Sequence, residues 1–261
     1  MNARTVAALD RINQRFYSQC AEAFDETRSR PWRGWDRAIS GFCDGLSQVE
    51  GQTDTRAILD AGCGNGRFGL YLSTRLAGPM RYRGLDESAA MLRLAHRRMY
   101  GIGSIDLDLR QCDVAECDSQ ALTDGERFDL AAAFGLLHHV PGFDRRLRLV
   151  RRLSEALTPE GTLLISFWQF GDRQRFRRRF IDWSEHNRSA EEPIDLEDLE
   201  EGDYLLAWGE GELTSRRYCH FASEDEAQRL VEASRLRVLD CYLSDGLSND
   251  LNLYFVLKRS V

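Results

Sequence analysis

The chain has 261 residues, 43% of them apolar and 30% charged, with a net charge of −7. The apolar fraction and the 10% aromatic content exclude disorder throughout, and a single enlarged domain of this length buries enough surface to fold without a metal or disulfide staple. The negative balance excludes a protein coated in positive charge for gripping long duplexes, though not a local basic patch.

Lys258 is the only lysine, so nearly every cation is an arginine. No stretch reaches the roughly 18–20 apolar residues of a membrane span, and Met1 leads into a charged amphipathic stretch rather than the apolar core of a secretory signal. The cysteines, at Cys20, Cys43, Cys63, Cys112, Cys117, Cys219 and Cys241, are odd in number and form no CxxC pair. They read as reduced thiols of a cytoplasmic protein. Cys112 and Cys117 have no second pair or nearby histidine, so no metal site is expected.

Val6, Leu9, Ile12, Phe16, Cys20 and Phe24 recur at helical spacing and predict an amphipathic helix over residues 5–24. A second helix is expected through Trp35, Ile39, Phe42 and Leu46, then a loop at Gly51–Asp54. From there strands and helices alternate. Strands are predicted at 57–60, 81–86, 107–113, 128–134 and 162–168. Helices are predicted at 68–76, at 88–99 behind a Ser88 cap, and at 143–157, with a turn at Pro159-Glu160-Gly161. Such alternation implies an α/β fold with a parallel sheet covered on both faces. Leu213 to Phe221 reads as extended, Ser223-x-x-Glu226 as a capping box opening a helix to Ser234. Two strands near 236–243 and 251–257 would pair as an antiparallel hairpin at one sheet edge.

The chemistry concentrates at strand ends. Ile58-Leu59-Asp60-Ala61-Gly62-Cys63-Gly64-Asn65-Gly66 leaves a strand and enters a helix, with glycines that permit a tight turn and close approach of a ligand. The spacing is G-x-G-x-G, since Arg67 stands where a dinucleotide fingerprint needs its third glycine. Asp60 would repel a pyrophosphate but suits a cationic amino-acid ligand. Asp86 ends the next strand, where an acid accepts from ribose hydroxyls, or else complements a helix start. Asp113 ends the third strand, where a side chain can meet an adenine amino group, although a loop acid is the plainer reading. His138 and His139 follow Phe134-Gly135-Leu136-Leu137 beyond the fourth strand, and one of them faces the pocket while its neighbour packs.

Together these residues resemble the class I S-adenosylmethionine-dependent methyltransferases over about residues 55–170. The resemblance implies a Rossmann-like, mostly parallel seven-stranded sheet. It implies S-adenosylmethionine as cofactor, with Asp60, Gly62, Cys63, Gly64, Asn65 and Gly66 around its methionine part, Asp86 on the ribose, Asp113 and Val114 beside the adenine, and Phe134 in the wall. The flanks are similar to the eukaryotic tRNA methyltransferases that esterify carboxymethyluridine at the wobble position. Phe16-Tyr17, Phe24, Thr27-Arg28-Ser29-Arg30-Pro31-Trp32, Gly202-Asp203-Tyr204 and Arg217-Tyr218-Cys219-His220-Phe221 carry that likeness. Arg30 stands where that family has lysine, Cys219 where it has tyrosine, and Asn252-Leu253 where it has an N-W pair.

That likeness implies a tRNA anticodon loop as substrate, and members often require a small zinc-ribbon activator. Residues 1–54 would form a helical cap and substrate segment. Residues 55–261 would form the methyltransferase domain, with a basic and acidic insertion at about 171–212. An ionised carboxylate needs no general base, so Arg28, Arg30, His138 and His139 are expected to position the reactants. Trp32 or Tyr218 could stack on a flipped base, with His220 nearby. Arg175 and Arg177, in the run Arg173 to Arg179, could hold phosphates, or form a solvated face paired with the acids of 191–203. Arg145, Arg146, Arg148, Arg151 and Arg152 read as the exposed side of a helix. The alternatives are a methyltransferase acting on a small acid, amine or phenol, and a non-catalytic cofactor-binding subunit.

Overall fold

The computed structural model describes residues 1–28, 30–44, 55–209 and 215–259. The expected loop at 51–54 and the expected elements' ends at Leu46 and Leu213 lie outside them. Asn2 caps the first helix, α1 (Ala3–Glu26), by accepting from the Thr5 N–H at 3.0 Å. α2 (Gly34–Asp44) follows, then β1 (Arg56–Ala61), α3 (Arg67–Ser73), β2 (Met80–Asp86), α4 (Ala89–Met99), β3 (Ile105–Gln111), α5 (Ser119–Thr123), β4 (Phe128–Ala133), α6 (Phe143–Glu155) and β5 (Leu157–Trp168). The next elements are α7 (Gln174–Arg177), β6 (Phe180–Ile181), α8 (Trp183–Asn187), β7 (Asp203–Trp208), β8 (Ser215–His220), α9 (Glu224–Ala233), β9 (Arg237–Ser244) and β10 (Asn252–Lys258).

Seven strands form one sheet in the order β3-β2-β1-β4-β5-β10-β9. β1 pairs in parallel with β2 and β4, β2 with β3, and β4 with β5, while β10 runs antiparallel to both β5 and β9. This is the expected Rossmann-like α/β architecture with its antiparallel C-terminal hairpin. Alternate residues of each strand feed opposite layers. Leu59, Ala131 and Ile165 pack under α6 and α9, and Ile58, Ala132 and Leu164 pack under α2, α3 and α4. The expected turn at Pro159-Glu160-Gly161 lies within the longer β5, where pairing with β4 jumps from Leu157 to Thr162. Those residues bulge out of the ladder.

An antiparallel sheet of its own, β6-β7-β8, forms from residues 180–220, and its last strand lies beyond the expected insertion at about 171–212. Ile194 and Tyr218 of this second layer are buried against Ala8 and Leu9 of α1, and Phe170 fills its other side with Leu206 and Cys219. The expected pairing between the 173–179 arginines and the 191–203 acids is not what forms. Glu191 pairs with Arg15 and Glu192 with Arg11, both on α1, and Glu200 with Arg146 on α6. Arg145 and Arg146, expected on an exposed face, are buried. Arg145 meets Asp10 and Glu116, and Arg146 meets Glu200 and Glu226. Cys20, Cys63, Cys112, Cys117, Cys219 and Cys241 are free thiols, and no helix among the described residues is long and apolar enough to cross a membrane.

Candidate active site

A cavity of about 1440 Å³ opens at the carboxyl ends of β1 to β4, beneath α1 and the segment that follows it. Open α/β sheets hold their ligands at that edge. A single small ligand needs about 300–1,000 Å³, so this space takes a cofactor and part of a second molecule together.

One end is acidic. Asp60, at the end of β1, is buried and accepts a hydrogen bond from the Tyr82 hydroxyl. Burial lifts its pKa to about 7, with the Tyr82 bond opposing and Asp86 adding to the rise. Asp86 ends β2 and accepts from the Gly64 N–H with one oxygen and from the Ser88 N–H with the other, both at 2.9 Å. Burial raises its pKa, and those two bonds work against the rise. Among the described residues no ion pair falls on either carboxyl. A Cβ on Gly64, whose φ is +53°, would meet only the Met91 methyl within 4 Å, so the loop there is bare toward the cavity. A buried acid and a half-buried one, neither ion-paired among the described residues, beside a bare glycine turn, fit S-adenosylmethionine. Asp60 would face its positive amino-acid end, and each Asp86 oxygen keeps a lone pair for a ribose hydroxyl.

The rest of the acidic end is mostly scaffold. Gly62 and Cys63 lie in the cavity wall. The Asn65 amide donates to Asp25 at 2.6 Å, and Arg98 bridges Asp25 and the Asn65 carbonyl, which ties the glycine loop to α1. Asp113 and Val114 line the cavity, but one Asp113 oxygen already accepts from the Ala115 N–H at 2.8 Å. Gly66 does not line it. At φ +72° its Cβ would stand 2.6 Å from the Met99 methyl and 2.9 Å from the Ala95 Cβ, so this glycine admits α4.

The other end is basic. Arg28, Arg67 and Arg217 reach into the cavity, and no ion pair among the described residues falls on any of the three. Arg217 is buried, lies 5.0 Å over the Trp168 ring, and among the described residues its Nε has no partner. Burial and then the Arg217 charge lower the Arg28 pKa, with Tyr17 opposing. Burial, Arg28 and Arg98 bring Arg67 down to about 10; its guanidinium covers Trp32 and Trp35 and donates to the Arg30 carbonyl at 2.7 Å. Trp32 and Phe134 continue this wall, and Arg30, Arg175 and Arg179 stand at its rim.

Both histidines line the cavity. His138 lies between His139 and Trp168, and its buried Nδ1 has no partner. Burial, then His139, Arg217 and Arg28, holds its pKa well below the usual range. The His139 Nδ1 is 3.0 Å from the Tyr218 carbonyl and its Nε2 is 2.8 Å from the Tyr17 hydroxyl. Burial and Arg217 bring it to about 3, against the Tyr218 bond.

Three expected substrate contacts sit elsewhere. Tyr218 is fully buried away from the cavity, its hydroxyl donating to Asp203 at 2.7 Å. His220 is buried between Asp203 and Glu226. Arg177 turns back to the Gly171 carbonyl and Asp172. Side chains alternate along β8, so Arg217, rather than Tyr218 or His220, reaches the site. Tyr17, Arg67, Trp168 and Arg217 were not among the expected site residues; Tyr17 and Arg217 stand inside the flanking motifs that carry the family likeness, but those motifs did not show which side chains face the cavity.

The sequence profile described as "Methyltransferase domain" matches residues 52–231. A protein of Encephalitozoon cuniculi, named as a methyltransferase, is 27% identical over 88% of this chain and 90% of its own length. The Arabidopsis thaliana tRNA (carboxymethyluridine(34)-5-O)-methyltransferase is 28% identical over 59% of this chain and 32% of its own length. Trans-aconitate 2-methyltransferase of Paracidovorax citrulli is 36% identical over 41% of this chain and 37% of its own. The chain therefore spans about a third of those last two. Among solved structures, an S-adenosylmethionine-dependent methyltransferase of Clostridium acetobutylicum superposes with a TM-score of 0.62 at 16% identity, covering 94% of this chain and 99% of that one.

Proposed function

Because this chain belongs to the methyltransferase-domain family and is an S-adenosylmethionine-dependent methyltransferase, we propose that it methylates a carboxylate, the one borne by a modified wobble uridine of tRNA. The observation that carries this reading is the pair Arg28 and Arg217, two cations in one cavity with no ion pair to an acid among the described residues. Unpaired buried charge is costly, so the basic end is built for an anion.

Bound S-adenosylmethionine supplies a methyl group carried on a positively charged sulfur. The residues around the basic end do the rest. Arg28 and Arg217 hold the acceptor carboxylate, which is ionised at neutral pH and needs no base. Phenols and amines need one with a pKa near the working pH. His138 and His139, the imidazoles beside the two arginines, are both held far below it. Trp32, Trp168 and Phe134 keep water from the reacting groups, and reactants brought about 3–3.5 Å apart in a dry site gain most from that exclusion.

The names of two relatives, one acting on carboxymethyluridine of tRNA and one on trans-aconitate, both describe acid acceptors. The exposed rim arginines Arg30, Arg175 and Arg179 favour the nucleic acid, and a small acid is the second reading. The test supplies the purified chain with labelled S-adenosylmethionine and tRNA bearing unesterified carboxymethyluridine. A base-labile methyl ester is expected. Arg217→Met should lower kcat/KM by about thirtyfold or more, the cost of unpairing a buried charge, with cofactor affinity unchanged. Esters formed on small tricarboxylic acids alone would leave the second reading, and ester formation on no acid at all would overturn both.

A further inference from the structure

Tyr17 lines the cavity from α1, within electrostatic reach of Asp86 and of Arg28 and Arg217. Its ring is therefore close to groups of both the acidic, cofactor-holding end and the basic, acceptor-holding end. Its hydrogen bonding is determined by elimination. The Tyr218 carbonyl can only accept, so the His139 Nδ1 beside it carries the ring proton. Burial keeps His139 neutral, which leaves Nε2 bare and able only to accept. The Tyr17 hydroxyl at 2.8 Å must then be the donor.

A phenol whose one proton is committed to His139 offers the cavity lone pairs and nothing else. Burial pushes its pKa up to about 12, so it stays neutral and is a poor nucleophile next to a methyl donor. We propose that the Tyr17 oxygen is the contact that reads the positive sulfur and its methyl hydrogens, and that His139 is the positioning residue that keeps that oxygen turned toward them. Methyl hydrogens on a cationic centre are polarised and make C–H···O contacts with such an oxygen. The ring itself is held by edge contacts to Phe16, Phe24 and His139, at 4.9, 5.5 and 5.5 Å. Only the oxygen's role is therefore at stake in Tyr17→Phe. The inference rests on the cofactor and is independent of which acceptor is methylated.

The experiment compares affinities of the full chain for S-adenosylmethionine and for S-adenosylhomocysteine, which lacks the charge and the methyl group. By calorimetry without acceptor, Tyr17→Phe should weaken S-adenosylmethionine about fivefold and leave S-adenosylhomocysteine within about twofold. His139→Leu frees the hydroxyl to turn and should shift the ratio of affinities the same way. His139→Gln, whose amide oxygen can accept from the phenol, should restore the parent ratio. Equal weakening of both ligands would make Tyr17 a packing residue, and an unchanged ratio in Tyr17→Phe would remove the contact altogether; either result overturns the proposal.

Discussion

A carboxyl group withdrawn from water keeps its proton, and Asp60, lifted to about 7 chiefly by burial, does so with no ion pair among the described residues to offset the cost. An unfolded aspartate titrates near about 3.9. Between that value and about 7 the folded chain holds a proton that the unfolded chain has lost, so stability falls as pH rises across this window and levels off above it. Bound S-adenosylmethionine reverses the preference, because its positive charge favours the ionised form. Its affinity should therefore fall as pH drops through 7, by at most about tenfold per pH unit. Calorimetry from pH 5.5 to 8.5 measures this, and melting of the ligand-free chain should show the opposite slope below pH 7. Asp60→Asn should flatten most of both, leaving the smaller contribution of Asp86, which is raised in the same direction. An affinity independent of pH in the parent chain would mean Asp60 faces no cation. Asp60 and Asp86 were legible because each sits at a fixed place in a strand-turn-helix unit. Arg217 was not, because the face a lone strand presents depends on its register with a partner. β8 takes its register from β7, with Tyr218 opposite Leu205 and Arg217 opposite Leu206.

The small sheet joins the main one through β8, α6 and α9 by way of buried charge. His220 has Asp203 2.7 Å from Nδ1 and Glu226 2.8 Å from Nε2, so both ring nitrogens face carboxylates and the ring is held as a cation. Burial alone would lower its pKa and Arg146 adds to that, but the bonds to Asp203 and Glu226 outweigh both and the net shift is upward. Tyr218 and Glu200 complete the set of groups around it. A histidine raised on folding contributes stability that is full below about 6.5 and is lost as pH rises through the folded value. The melting temperature should thus fall a second time above about pH 7, beyond the Asp60 window. His220→Gln should melt lower at pH 6, by about 3 kcal/mol or more if one partner of a buried pair is truly lost, and should show no second fall. A second fall that persists in this variant would assign it to another group. These elements also show the limit of pattern reading. Residues 55–170 alternate strand and helix with strong periodicity, whereas β6 has two residues and β7 follows an acidic run whose ion-pair partners lie on α1 and α6. Local sequence holds no record of partners so far away.

A chain of net charge −7 repels RNA at long range, so any attraction must be local to the cavity mouth. Arg30, Arg175 and Arg179 are exposed there, and no ion pair among the described residues falls on them, whereas Arg173 and Arg177 are paired with Asp250 and Asp172. Asp60 and Asp86 line the same cavity from the ends of β1 and β2, so its acidic and basic groups come from different strand ends and segments. Phosphates bound by the free rim arginines would release counterions, and the logarithm of KM for tRNA should then climb linearly with the logarithm of salt concentration. Each rim arginine that meets a single-stranded phosphate adds roughly 0.7 to that slope, so Arg30→Ala, Arg175→Ala and Arg179→Ala should each reduce it by about that amount. Arg177→Ala should change nothing, since Asp172 already occupies that side chain. Affinity for S-adenosylmethionine serves as the internal control, because it depends on the acidic end. A slope near zero in the parent chain would mean that no polynucleotide crosses this mouth. A steep slope left untouched by all three substitutions would place the RNA path over another face, even with the wobble carboxylate held between Arg28 and Arg217.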